Sequence, residues 1–211
     1  MSLIVSAPKG GNFQPVPDGT YLGVCSMIVD LGAMYSERYD KTQRKVMIAW
    51  ELPAETIEVN GKTERRTVSS RYTATLGSQG NLRRDLITWR GRDFTEDELA
   101  GFELKNILGK SCLLTITNTK GSDGKNYTNV SGVARLMKGM AAAELEKEPL
   151  LFDLDTASLD DVDALPNWIG DQIKKSVTYQ QMLEKEKEME ADPVPATTFT
   201  DLDDDEGDLP F

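Results

Sequence analysis

The sequence has no histidine. That absence removes the commonest general base and the commonest metal ligand, so zinc sites, catalytic triads and other histidine-dependent chemistries are poor expectations. Cysteine is almost as scarce. Cys25 and Cys112 form no CxxC pair and sit inside apolar, strand-like runs, the setting of buried thiols and not of a disulfide or a metal site. No stretch approaches the ~18 consecutive apolar residues of a membrane-spanning helix. The first residues, MSLIVSAPKGG, lack the basic flank and long apolar core of a secretory signal, so a cytoplasmic protein without a membrane partner is expected. No nucleophile stands beside a base, so neither an enzyme nor a cofactor is expected.

Positive charge is nearly missing from the last third. Residues 1 to 140 hold 19 Lys+Arg against 15 Asp+Glu, and residues 141 to 211 hold 5 against 20, so the net charge of −11 conceals a mildly basic body with an acidic end. Like-charge blocks repel themselves and stay extended, which points to an interaction tail. At 211 residues there is room for one domain with a core plus appendages.

Within the body, GTYLGVCSMIVDLG (19 to 32) and VMIAWEL (46 to 52, continuing through ETIEV to Asn60-Gly61) read as strands, and Asn-Gly is a strong hairpin signal. RRTVSSRYTATL (65 to 76) follows as a third strand. GNLRRDLITWRGR places Leu82, Leu86 and Trp89 at helical spacing, and Thr95 with Glu98 has the spacing of a capping box. SCLLTIT and NYTNVSGVARLM are two final strands joined across NTKGSDGK. Three strands, a helix and two strands is the order of an OB-fold, a small five-stranded barrel with its helix between strands 3 and 4. An open α+β sheet is the alternative for the same elements. The expected organisation is therefore mainly β. A barrel domain spans 1 to 140, an acidic linker and helical extension 141 to 191, and a disordered acidic tail 192 to 211. In the extension, NWIGDQIKKSV puts Trp168, Ile169, Ile173 and Val177 on one helical face.

The candidate functional residues are basic and aromatic. The loop GAMYSERYDKTQRK interleaves Tyr35 and Tyr39 with Arg38, Lys41, Arg44 and Lys45, and in OB-folds this loop and the one between strands 4 and 5 flank the binding face. Lys120 and Lys125 lie in that second loop. From Lys62 to Arg92 eight basic residues (Lys62, Arg65, Arg66, Arg71, Arg83, Arg84, Arg90, Arg92) face only Glu64 and Asp85, an excess without local partners. Arginine's planar fork holds two phosphate oxygens at once. Alternation puts Thr67, Ser69, Arg71, Thr73 and Thr75 on one face of the third strand, opposite Val68, Tyr72, Ala74 and Leu76. It also puts Tyr127, Asn129, Ser131 and Arg135 on one face of the last strand, opposite Val130, Ala134 and Leu136. Rings that stack on bases beside cations that meet phosphates form a platform for single-stranded nucleic acid. Trp50 and Trp89 fall on apolar faces and read as core. ILGKS (107 to 111) ends like a phosphate-binding loop, but Leu104 stands where that motif needs glycine and a strand follows, which excludes nucleotide hydrolysis. Asp160-Asp161 and Asp203 to Glu206 read as solvated charge.

The closing DLDDDEGDLPF resembles the acidic tips of bacterial single-stranded DNA-binding proteins, in which a terminal phenylalanine docks in a basic pocket of replication and repair enzymes. The resemblance implies Phe211 as anchor with Pro210, Leu209 and Asp208 beside it, and Asp203, Asp204, Asp205 and Glu206 steering. DGTYLGVCSMIVDLG, WELP, YTATL, LRRDLITWRGRDFT, ILGKSCLLTIT and NYTNVSGVARLMKG, with FDLD and LPNWIGDQIKKSVTY after them, resemble a family of bacteriophage replication proteins regarded as single-stranded DNA binders of OB-fold type. The resemblance implies non-catalytic, largely sequence-independent binding of single-stranded DNA in phage replication or recombination, inside a bacterial host cell, with the tail recruiting replication proteins. A homo-oligomer is compatible with this, although no residue specifies an interface. The other expectations are a protein-binding adaptor without DNA affinity and an acidic DNA mimic, the latter disfavoured by the basic residues at 62 to 92.

Overall fold

The computed structural model describes residues 15 to 191 apart from 38, 39, 60 and 123. The chain forms β1 (Gly19–Ser36), β2 (Lys41–Val59), β3 (Lys62–Thr73), α1 (Asn81–Arg90), α2 (Glu96–Ala100), a 3₁₀ turn (Leu104–Ile107), β4 (Ser111–Lys120), β5 (Asn126–Ala134), β6 (Leu150–Phe152), α3 (Leu159–Asp163), α4 (Asn167–Ile173) and α5 (Val177–Ala191). Five strands make an antiparallel sheet in the order β3-β2-β1-β4-β5. The sheet curls into a half-barrel that brings β3 and β5 near one another, and no ladder joins them among the described residues. No helix among those residues is long and apolar enough to cross a membrane.

The curl is built into β1. Its ladder with β2 shifts register between Cys25 and Met27 and again between Asp30 and Gly32, and such bulges bend a strand and increase its twist. Gly32 takes φ +78°, where an added Cβ would meet the Ser176 hydroxyl at 2.7 Å. After the first bend β1 leaves β4, with which it pairs only over Gly19–Val24. Met27–Val29 would then present bare backbone groups, and β6 pairs with them in parallel.

Two apolar layers sandwich the sheet. Inside the curl, Cys25, Ile48, Trp50, Leu52, Leu114 and Ile116 meet Leu82, Leu86 and Trp89 of α1, which plugs the half-barrel. Trp50 and Trp89 lie tilted with ring centroids 6.1 Å apart, and the Trp89 indole N–H donates to the Ser111 carbonyl at 3.0 Å. On the outer face Val29, Leu31 and Met47 pack under Leu154, Val162, Ile169, Ile173 and Tyr179 of the extension. VMIAWEL is thus buried at every position, as a strand covered on both faces must be.

The structure corrects the expected face of the extension. The chain turns at Lys174–Ser176, so α4 and α5 are separate helices. Ile169 and Ile173 point inward while Trp168 stays 48% and Val177 37% exposed. Tyr179 supplies the contact expected of Val177. β5 also departs from the expected alternation. The register shift between Thr115 and Ile116 leaves Ser131 as an extra residue, so Val133 and not Ala134 enters the core. The third strand ends at Thr73, which leaves Ala74 exposed. The capping box of Thr95 and Glu98 forms as expected, opening α2.

Candidate functional site

Most of the arginine excess is matched by carboxylates, several from outside the 62 to 92 window, which corrects the expectation of unpartnered charge. Arg83 pairs with Asp93 at 3.2 Å and Arg84 with Asp85 at 3.1 Å. Arg90 and Arg92 share Glu98, and the Arg90 guanidinium also lies 4.4 Å from the centre of the Phe94 ring and 5.0 Å from that of Phe102. Hydrogen bonds from Arg92 and from the Thr95 backbone hold Glu98 down to a pKa of about 2. Arg65 reaches the buried Glu51 at 3.6 Å, Glu146 at 3.4 Å and the Glu144 carbonyl at 2.7 Å, strapping the segment after β5 to the sheet. Lys147 meets Glu64 at 2.7 Å in the same strap.

Arg44 has a comparable role. It pairs with Asp30 of β1 and reaches Asp155 at 2.8 Å and Asp153 at 3.9 Å beyond β6. The three carboxylates lie within 4.8 Å of one another, a spacing that suits a cation, and the Arg44 guanidinium supplies it. Hydrogen bonding to Asp30 is the main cause of its raised pKa. The group clasps the extension to the barrel.

Among the described residues, Lys45 and Arg71 lie side by side without an ion pair. A groove of about 900 Å³ opens on the outer side of β2 and β3, lined by Met34, Gln43, Lys45, Arg71, Tyr72, Thr73 and Thr75 and by the turn Gly77 to Asn81. None of these residues is a carboxylate. The Lys45 ammonium donates to Thr73 Oγ1 at 2.7 Å and to Gln43 Oε1 at 3.2 Å, both neutral acceptors, and Arg71 is exposed without an ion pair among the described residues. Lys45 lies across the ladder from Thr73, and Met47 across from Arg71, so β-pairing sets the two cations on one face. The turn that walls the groove is tight: a Cβ on Gly80 would stand 3.1 Å from the Gly77 carbonyl. Gly80 then opens α1 with no capping side chain and no acidic residue in the first turn, so the positive end of that helix adds to the groove's potential.

A second opening of about 410 Å³ lies at the seam between β3 and β5, lined by Val16, Ile57, Arg65 to Ser69 and Asn126 to Thr128, again with no carboxylate. Tyr127 is 49% exposed there, and Arg66 lines the opening while its Nε donates to the Thr56 carbonyl at 3.4 Å.

Of the remaining candidates, Tyr35 is exposed at the end of β1 and donates its hydroxyl to Asp40 at 2.7 Å, which raises its pKa. Lys120 and Lys125 are exposed around the β4–β5 loop. Arg135 falls just past β5, and its side chain lies over Gly91. Arg38, Tyr39 and the tail residues Asp208, Leu209, Pro210 and Phe211 lie outside the described residues. The structure thus gathers Lys45 with Arg71 in one groove and Arg65, Arg66 and Tyr127 at the seam. The reading from sequence missed the wall Gly77 to Asn81. Its signal was present in the small polar run GSQGN that opens α1.

No protein-family model matches the chain, and no curated protein matches it.

Proposed function

We propose that the chain binds single-stranded DNA without catalysis and with little sequence preference, on a barrel of OB type. The carboxylate-free groove holding Lys45 and Arg71 carries this reading. The acidic charge that sets the net −11 is concentrated after residue 140, and phosphate settles best where cations of the mildly basic body gather without acids beside them. The strand order, with β3 near β5 and α1 between the third and fourth strands, matches that of a five-stranded OB barrel and supports the fold assignment. Exposed Tyr35 and Tyr127 offer rings to unpaired bases. Both thiols are buried, and burial pushes Cys25 up to about 12, so neither is poised as a nucleophile. The acidic segment 201 to 211 is proposed to recruit replication or recombination proteins by docking Phe211.

Fluorescence anisotropy across a salt series tests this. Labelled oligo-dT is expected to bind more tightly than a matched duplex, with affinity falling steeply as salt rises. Lys45→Ala/Arg71→Ala together are expected to lower the slope of log affinity against log salt by about 1.4, at ~0.7 per phosphate contact. Absence of oligo-dT binding overturns the proposal. It leaves a protein-binding adaptor as the second reading, which the exposed Trp168 on α4 favours.

A further inference from the structure

The groove and the seam share β3. Thr67 and Ser69 line the seam opening and Arg71 and Thr73 line the groove, and these four alternate along β3 so that they face the same way. Across the ladder their neighbours on β2 are Glu51, Ala49, Met47 and Lys45. Ala49 and Met47 are 0% and 1% exposed, with Met47 packed under the extension. Glu51 is 5% exposed, held by Arg65 and accepting the Glu146 N–H at 3.0 Å. The extension therefore closes the β2 half of this outer face and leaves the β3 row open between two openings that both lack carboxylates.

We infer that a single DNA strand lies lengthwise on β3, with phosphates at Lys45 and Arg71 in the groove and a base stacked on Tyr127 at the seam. The inference rests on the single-stranded DNA reading above and adds the path and the residue that ends it. The small hydroxyls of Thr67, Ser69 and Thr73 leave room for a backbone to pass and can donate to phosphate oxygens. Thr67 to Thr73 spans about 20 Å at ~3.3 Å per residue. At ~3.4 Å per stacked nucleotide that length holds about six nucleotides. Six lies within the ~4–16 nucleotides covered by single barrels of this type.

Equilibrium anisotropy with labelled dT12 on the full chain tests the path, comparing wild type with Tyr127→Ala, Tyr127→Phe and Lys45→Ala/Arg71→Ala over a salt series. Tyr127→Ala is expected to weaken binding about tenfold by removing a stacking ring. Its salt slope should stay unchanged, because no phosphate contact is lost, and Tyr127→Phe should restore most of the affinity. The Lys45→Ala/Arg71→Ala pair should instead flatten the slope. Wild-type affinity in Tyr127→Ala, alongside weakened binding in the groove double variant, overturns the path and leaves the DNA reading standing. Loss of affinity in Tyr127→Phe equal to that in Tyr127→Ala also overturns it, since stacking needs only the ring. Failure of wild type to bind dT12 removes both the path and the reading beneath it. Thermal melts by circular dichroism confirm that each variant is folded, which the half-exposed position of Tyr127 favours.

Discussion

Glu98 shows how much one side chain can organise. It accepts from Arg92 and from the Thr95 backbone and pairs with Arg90, so it joins the end of α1 to the start of α2. Its pKa of about 2 lies below the ordinary 4.5, so the folded state holds this carboxylate deprotonated more strongly than the unfolded chain does. That contribution to stability is fully present above pH 4.5 and is lost as pH falls towards 2. Glu98→Gln is therefore expected to lower the urea midpoint at pH 6 and to lose most of that deficit as pH falls to 2, where about half of the wild-type carboxyl is itself protonated. A constant difference across that range would mean that packing and not charge makes the contribution. Residue identity alone did not reveal this pairing. Arg90, Arg92 and Glu98 are within eight positions of one another, yet whether they meet depends on the turn after α1.

That turn belongs to the scale of elements. Gly91 ends α1 at φ +72°, the left-handed C-cap position, and its N–H donates to the Ile87 carbonyl at 2.8 Å. A Cβ there would stand 2.7 Å from Arg135 Cδ. Gly91→Ala is expected to destabilise the protein by about 1–2 kcal/mol, from the left-handed backbone together with displacement of Arg135. Chemical denaturation checks this, and an unchanged midpoint would count against the cap. Elements of this kind were legible in the sequence: the helix from its Leu82, Leu86 and Trp89 spacing, the capping box, and the strands from β-branched runs between glycines. What escaped was what acts between elements. The bulge in β5 adds one residue, and period-2 reasoning then assigns Ala134 the place that Val133 takes. Trp168 fits an amphipathic face only if one helix runs on through Ser176, whose buried hydroxyl instead accepts the Tyr179 N–H at 3.1 Å and starts a new one. Groove and seam were legible only as residue types. Arg71 and Lys45 belong together because of β2–β3 register, whereas Arg44, one residue away, crosses to Asp30 on the opposite face.

At the scale of the whole molecule, the extension is structural as well as acidic. It covers Val29, Leu31 and Met47 and pairs with the edge of β1, and Arg44 and Arg65 fasten it. A chain ending at residue 140 would expose that apolar face and the bare edge at Met27–Val29. It is expected to melt at a lower temperature than the full chain and to aggregate at micromolar concentration, as size-exclusion chromatography with light scattering would show. A monodisperse, equally stable fragment would show that the outer layer is dispensable.

The parallel pairing of Met27–Val29 with Leu150–Phe152 has a further consequence during synthesis. The strands of the half-barrel are complete once Ala134 has been made, but the layer that shields their outer face ends at Tyr179 and beyond. At ~5–20 residues per second, translation leaves that sheet uncovered on the ribosome for several seconds. Its last contact closes a loop spanning more than half the chain, so the interval is when a nascent-chain chaperone has most to offer this protein.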